Sequence, residues 1–435
     1  MLQLFSSGLM SLWLQQAGVP ARSFDLQTWQ ESPGLVLTDA VTPQTIATVD
    51  QYLKGLGSKG MAPAQQGIWL QSGTTLLMNH QGTTPLSAAS LTKVATSLAA
   101  LETWGPQHRF PTIVQATGPI AHGVLQGDLV IQGGGDPLFV WEEAIALGHS
   151  LNRLGIRQVQ GNLVIVGNFW MNYETDPVLA GNFLRRALDD RLWDWEIEGQ
   201  YAAMPTGTPR LRLAIAGRVT TAAAIPSGSV ALLRHDSLPL AQILKLMNVY
   251  SNNPIAEMLA ESLGGAPVVA PLAAQTAGVP VAEVRLINGS GLGQENQISP
   301  RAAAAMMMAL QRSLQPHGLT IADLMPVIGH DLGTAEGRKL PAHTALKTGT
   351  LWDVSALTGV FPTQQYGLVW FTIINRGTDI DTLRAQQDQL VQGLTRQWGV
   401  APAATPTLTP HIWLNPDDQT LGALGRNYPL VVARG

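Results

Sequence analysis

Between Gly67 and Pro85 the apolar residues fall into two short runs, Ile68-Trp69-Leu70 and Leu76-Leu77-Met78, on either side of Ser72-Gly73. A turn pair between two such runs predicts strand, turn, strand. From Ser90 the period lengthens, with Ala, Leu and Val recurring at helical spacing through Leu101 until Gly105-Pro106 ends the pattern. This predicts a helix with Ser90 at or near its start. From His108 to Ala224 many short apolar runs are cut by glycines, as in Gly123-Val124-Leu125-Gln126-Gly127-Asp128-Leu129-Val130-Ile131, which predicts a strand-rich insert with modest helices. Helical spacing returns at Leu238 to Leu263 and Pro300 to Leu314. Ala345-Leu346-Lys347, Ser355 to Phe361 and Tyr366 to Asn375 read as consecutive antiparallel strands, and Asp379 to Trp398 as an amphipathic closing helix. Ala401 to Pro410 is a Pro, Ala and Thr linker leading to a short tail of no legible role. No internal repeat stands out.

At 435 residues the chain exceeds one typical domain. No run of about 18 uncharged apolar residues occurs, so no transmembrane segment is expected. Lys plus Arg number 26 against 30 for Asp plus Glu, which offers no general attraction for nucleic acid or anionic lipid. The absence of cysteine excludes disulfides, thiol catalysis and cysteine metal sites. The histidines are scattered and form no His-Glu-x-x-His pair, so zinc chemistry has no visible footing. Met1 to Gly18 is moderately apolar but has no Lys or Arg before Arg22, a poor secretory signal. An amphipathic helix packed on the body is expected there, with an atypical export segment as the alternative.

Three patterns carry chemistry. In Ser90-Leu91-Thr92-Lys93 a hydroxyl and an amine three residues apart share one helix face, the relation a serine nucleophile needs with its base. On its own, Ser-x-x-Lys is ordinarily a solvated helix face. Lysine is scarce, however, confined to Lys54, Lys59, Lys93, Lys245, Lys339 and Lys347. Lys347 lies in Leu346-Lys347-Thr348-Gly349-Thr350, where a glycine lets a ligand approach a strand closely. Such an edge could bind an extended peptide, and an edge lysine placed against aggregation is the blander reading. The third pattern, Ser251-Asn252-Asn253 before a helical run, reads by itself as an N-cap cluster. Competing motifs fail: Gly289-Ser290-Gly291-Leu292-Gly293 has Asn288 where a nucleophile elbow needs glycine, and Gly133-Gly134-Gly135 lacks the lysine of a phosphate loop.

Taken in order, Ser-x-x-Lys, Ser-x-Asn and Lys-Thr-Gly resemble the penicillin-recognising serine enzymes. His108-Arg109-Phe110, Gly123 to Asp128, Gly133 to Pro137, Met247-Asn248, Ala256-Glu257-Met258-Leu259, Asn288 to Leu292 and Ile298-Ser299-Pro300 narrow the resemblance to the D-Ala-D-Ala carboxypeptidase/endopeptidase family, over roughly Gly67 to Trp398. Asn252 stands where relatives often have Asp, and Gly167-Asn168 replaces a family Asp. The interval from Ser90 to Ser251 is shorter than in the largest members, which implies a reduced or missing nested subdomain.

The resemblance implies an α+β chain with a beta-lactamase/transpeptidase-like body, an antiparallel sheet covered by helices. Ser90 and Lys347 must then meet in one cleft, so residues 1–105 and 228–400 are expected to form a discontinuous catalytic domain. Residues 106–227 are expected to form a strand-rich inserted domain and 401–435 a linker and C-terminal tail. By carry-over Ser90 is the acylated nucleophile, Lys93 its base and Ser251 the proton relay to the leaving amine. Asn253 holds the substrate amide, and Lys347, Thr348 and Thr350 bind the terminal carboxylate beside Gly349. The Ser90 and Thr350 backbone N–H groups face the oxyanion. Lys93 is expected to be neutral and Lys347 charged, and Lys93 is expected to lie outside the core. No metal or organic cofactor is implied. The implied partners are peptidoglycan stem peptides ending in D-Ala-D-Ala and beta-lactam inhibitors, and the place is the cell envelope or periplasm. The rival readings are a beta-lactamase or esterase on the same fold and a catalytically silent peptidoglycan-binding module.

Overall fold

The structure, a computed structural model, describes residues 37–401, 405–411 and 421–430. The N-terminal segment Met1 to Gly18 and positions 402–404 of the linker lie outside these residues.

The body is built on strands β1 (Gln66–Ser72), β2 (Thr75–His80), β3 (Ala345–Leu351), β4 (Val354–Thr363) and β5 (Gly367–Arg376). They pair antiparallel in the order β2-β1-β5-β4-β3, and the short strand Thr38–Asp39 lies parallel to β2 at the far edge. Side-chain alternation explains why both faces are covered. In β4, Val354, Ala356 and Val360 enter one apolar cluster, while Leu357 and Phe361 enter the opposite one. The first cluster receives α1 (Thr92–Trp104), α2 (Leu240–Val249) and α3 (Asn253–Ser262), and the second receives α4 (Ile380–Trp398). α1 is buried from Thr92 to Leu101 on every side, so its near-continuous apolar run marks a central helix rather than an amphipathic one. The α+β class and the sheet covered by helices are as expected.

The helical stretch is interrupted where the N-cap cluster stands. Leu238 to Leu263 breaks between α2 and α3 because Ser251 adopts φ 53° and the Asn252 side chain caps α3 by accepting from Ile255 N at 2.9 Å. Pro254 fits the first turn of α3, where its missing N–H is no loss, but it could not continue a helix from α2. The break turns Ser251 out of the helical register.

A second, mixed sheet is ordered Val219–Ala222, Leu163–Asn168, Leu129–Gly134, Pro111–Ala116, Val230–Asp236, Asn427–Pro429. Two of its strands come from outside the span 106–227. Val230–Asp236 pairs antiparallel with Pro111–Ala116, and the tail strand Asn427–Pro429 pairs with Val230–Asp236. The tail is fixed further by the buried ion pair of Arg426 with Glu143, by Arg426 Nη1 donating to Asp236 O at 3.0 Å, and by the hydrogen bond of His235 Nδ1 with Asn427 Oδ1 at 3.0 Å. Charges this deeply buried are tolerable only when paired. Helices Trp141–Arg153 and Pro177–Ala187 make this unit more helical than its glycine-cut runs suggest.

Candidate active site

Ser90 sits in the single turn Ala89–Leu91 that leads into α1. Ala89 there has φ 47°, an uncommon conformation for a residue with a Cβ, of the kind that gathers at functional sites. Two glycines let other segments close on this turn. A Cβ added to Gly349 on β3 would lie 2.8 Å from Ala88 O and 3.2 Å from Ser90 N. One added to Gly291, which has φ +90°, would lie 1.9 Å from Ala89 O. Strand β3 and the Asn288 to Leu292 loop therefore flank Ser90 at separations that larger residues would forbid.

Lys93, one turn on, directs its amine back along the helix face. Nζ lies 3.1 Å from Ser90 Oγ, 2.6 Å from Asn253 Oδ1 and 2.8 Å from Ser290 O. A neutral amine there donates two hydrogens to Asn253 and Ser290 O and accepts the hydroxyl hydrogen of Ser90, whereas the ammonium donates to all three. Either protonation state is satisfied without movement. Lys93 is also wholly buried, contrary to the expectation that it lies outside the core. Burial pushes its ammonium down to about 7, against the opposing pull of the Glu257 carboxylate.

Glu257 and the Ser290 carbonyl are site elements that the sequence offered only as motif surroundings. Glu257 stands four residues after Asn253, so both share one face of α3. Its carboxylate accepts from Gly289 N at 2.9 Å and Ser290 N at 3.0 Å, which holds the loop so that Ser290 O meets Lys93. Thr96 Oγ1 steadies the same loop by donating to Gly289 O at 2.7 Å. Asn248 Nδ2 donates to Ser97 Oγ at 3.1 Å and joins α2 to α1.

Lys347 approaches from β3, with Nζ donating to Ser251 Oγ at 3.0 Å and Thr348 O at 2.8 Å. It is fully buried. Burial first, and then the positive charge of Lys93, hold it well below the usual lysine range. This runs against the expected division of charge. Glu257 favours a proton on Lys93, while Lys347 faces the Lys93 amine. Thr348 Oγ1 donates to Thr334 Oγ1 at 2.9 Å, and the exposed Thr350 accepts through Oγ1 from Arg384 Nη2 at 3.0 Å. Neither Thr334 nor Arg384 carries a sequence motif.

The three motifs thus form two hydrogen-bonded groups, Ser90 with Lys93 and Asn253, and Ser251 with Lys347. They are joined through α3, which begins at Asn253, and through the contact of Gly349 with the Ser90 turn. Among the described residues no cluster of histidine and carboxylate side chains is arranged to hold a metal ion.

The family model described as D-Ala-D-Ala carboxypeptidase 3 (S13) matches residues 61–177 and 200–397. A carboxypeptidase of Mycobacterium tuberculosis is 28% identical over 333 residues, covering 67% of this chain and 71% of that protein. A D-alanyl-D-alanine carboxypeptidase of an Actinomadura strain is 25% identical over 430 residues, covering 74% and 79%. Among solved structures, a predatory endopeptidase of Bdellovibrio bacteriovorus in complex with an immunity protein superposes with a TM-score of 0.66 at 22% identity, covering 79% of this chain and 96% of that one. Penicillin binding protein 4 of Haemophilus influenzae, complexed with a beta-lactam, gives 0.62 at 19% identity, covering 83% and 100%.

Proposed function

The chain belongs to the D-Ala-D-Ala carboxypeptidase 3 (S13) family, and from that premise we propose that Ser90 is the nucleophile with which it cuts peptidoglycan stem peptides. It is a serine-type, penicillin-binding D-Ala-D-Ala peptidase, and its substrate implies work in the cell envelope. The observation that carries the assignment of Ser90 is the buried amine of Lys93, 3.1 Å from its hydroxyl and pushed down to about 7.

Ser90 Oγ attacks the carbonyl of the penultimate D-Ala as its proton passes to neutral Lys93. The Ser90 and Thr350 N–H groups receive the oxyanion. The C–N bond then breaks as Ser251, with Lys347 behind it, gives its proton to the departing amine of the last D-Ala and takes up in its place the proton that Lys93 received from Ser90. Water then attacks the acyl-serine, giving a proton to the neutral Lys93, which returns it to Ser90 Oγ as the acyl bond breaks and the shortened peptide leaves. Asn253 holds the substrate amide while Lys347, Thr348 and Thr350 line the carboxylate end along Gly349. An anion arriving beside Lys347 favours its charged form, and a charged Lys347 in turn drives Lys93 towards the neutral base.

A free terminal D-Ala is the simpler product, and cross-linked peptides present the same bond internally. A beta-lactamase on this fold is separated by its deacylation. The protein is expected to release D-Ala from a D-Ala-D-Ala peptide through many turnovers while penicillin silences it after about one equivalent. The check is D-Ala release alongside penicillin hydrolysis on the same preparation. Rapid, continuing penicillin hydrolysis without D-Ala release would overturn the peptidase reading.

A further inference from the structure

Thr350 ends the Lys347-Thr348-Gly349-Thr350 motif on β3, the strand that closes one edge of the body sheet. It is exposed, and its hydroxyl accepts from Nη2 of Arg384, which projects from the second turn of α4. A guanidinium has five donor hydrogens, and the Thr350 contact uses one. Its neighbouring acid, Asp381, is 3.9 Å away and 97% exposed, a pairing that holds the arginine only weakly. Other arginines near this end are committed elsewhere, Arg376 to Asp353 and Arg338 to Asp388.

A peptide ending in D-Ala-D-Ala brings a free carboxylate to this edge of the sheet. The groups first expected to meet it are partly engaged: Lys347 Nζ turns inward to Ser251 and Thr348 O, and the Thr348 hydroxyl donates to Thr334. Arg384 is different. It is half-exposed and offers the planar fork that matches a carboxylate.

We infer that Arg384 is a specificity-determining residue, its guanidinium and the Thr350 hydroxyl together gripping the free C-terminal carboxylate of the substrate. This deepens the peptidase reading and rests on it. The consequence is a preference for acid over amide C-termini that resides in α4, outside the three sequence motifs.

The test compares kcat and KM for release of D-Ala from a D-Ala-D-Ala peptide and of D-alaninamide from its C-terminal carboxamide. Arg384→Gln is expected to lower kcat/KM on the acid by about tenfold to a hundredfold, mainly through KM, the loss of one charge-assisted contact. On the amide the change is expected to stay within about twofold, because no carboxylate is there to be held. Arg384→Lys should recover part of the loss on the acid, since it restores charge without the fork. An equal fall on both peptides, or none on the acid, with an active wild-type protein would overturn this inference alone. A wild-type protein inactive on both peptides and unreactive towards penicillin would overturn the peptidase reading and the inference with it.

Discussion

Lys93→Met is expected to lose acylation by penicillin and by D-Ala-D-Ala peptide together, by about a hundred- to ten-thousand-fold, the usual worth of a positioned general base. Methionine is the informative replacement because Lys93 is wholly buried in α1. Alanine would add a cavity to the loss of the amine, whereas methionine keeps most of the volume. Removing the amine still leaves Asn253 Oδ1 and Ser290 O without their donor, which costs about 1–3 kcal/mol for each buried group left unpaired. A lower melting temperature is thus expected alongside a folded protein. Stopped-flow acylation measured below that temperature separates the two effects. The parallel loss on both substrates is the signature, because both must be attacked by the same Ser90 hydroxyl. Near wild-type acylation would remove Lys93 from the role of base.

Acylation by penicillin is expected to fall about tenfold per pH unit below about 7 and to level off above it, so that pH 5 costs about a hundredfold relative to pH 8. The sign follows from which form reacts. The base is the neutral amine, and burial depresses the Lys93 ammonium to about 7 from the ordinary lysine value of about 10.4. Lowering the pH through 7 therefore converts base into spent acid. With an ordinary lysine pKa the rate would still be rising at pH 9. A penicillin acylation rate that is flat from pH 5 to 8 would show that Lys93 does not supply the titrating group.

Much of the body was legible because its signals are local. The helix after Ser90 begins where the period changes, and the three late strands form one antiparallel run because turns alone separate them. The motif residues were legible because short hydroxyl and amine patterns are rare in a chain so poor in lysine. What stayed hidden depends on contacts distant in sequence. Glu257 matters only because α3 lays it against the Gly289-Ser290 amides, and nothing near it in the chain says so. Arg384 is separated from Thr350 by two strands and a helix start. Tail residues Arg426 and Asn427 read as featureless until Glu143 and His235 receive them. The depression of Lys347 stayed hidden for the same reason. The resemblance implies that the two lysines meet, but not that Glu257 attends one while the other is sealed against a cation.

The central claim is that Ser90 carries the acyl group, and the most direct measurement is mass spectrometry of peptides from the protein after brief incubation with penicillin. One adduct of the intact antibiotic is predicted, on the peptide containing Ala88-Ala89-Ser90-Leu91 and localised by fragmentation to Ser90. An adduct on Ser251 or Ser290, or labelling that persists in Ser90→Ala, would contradict the account.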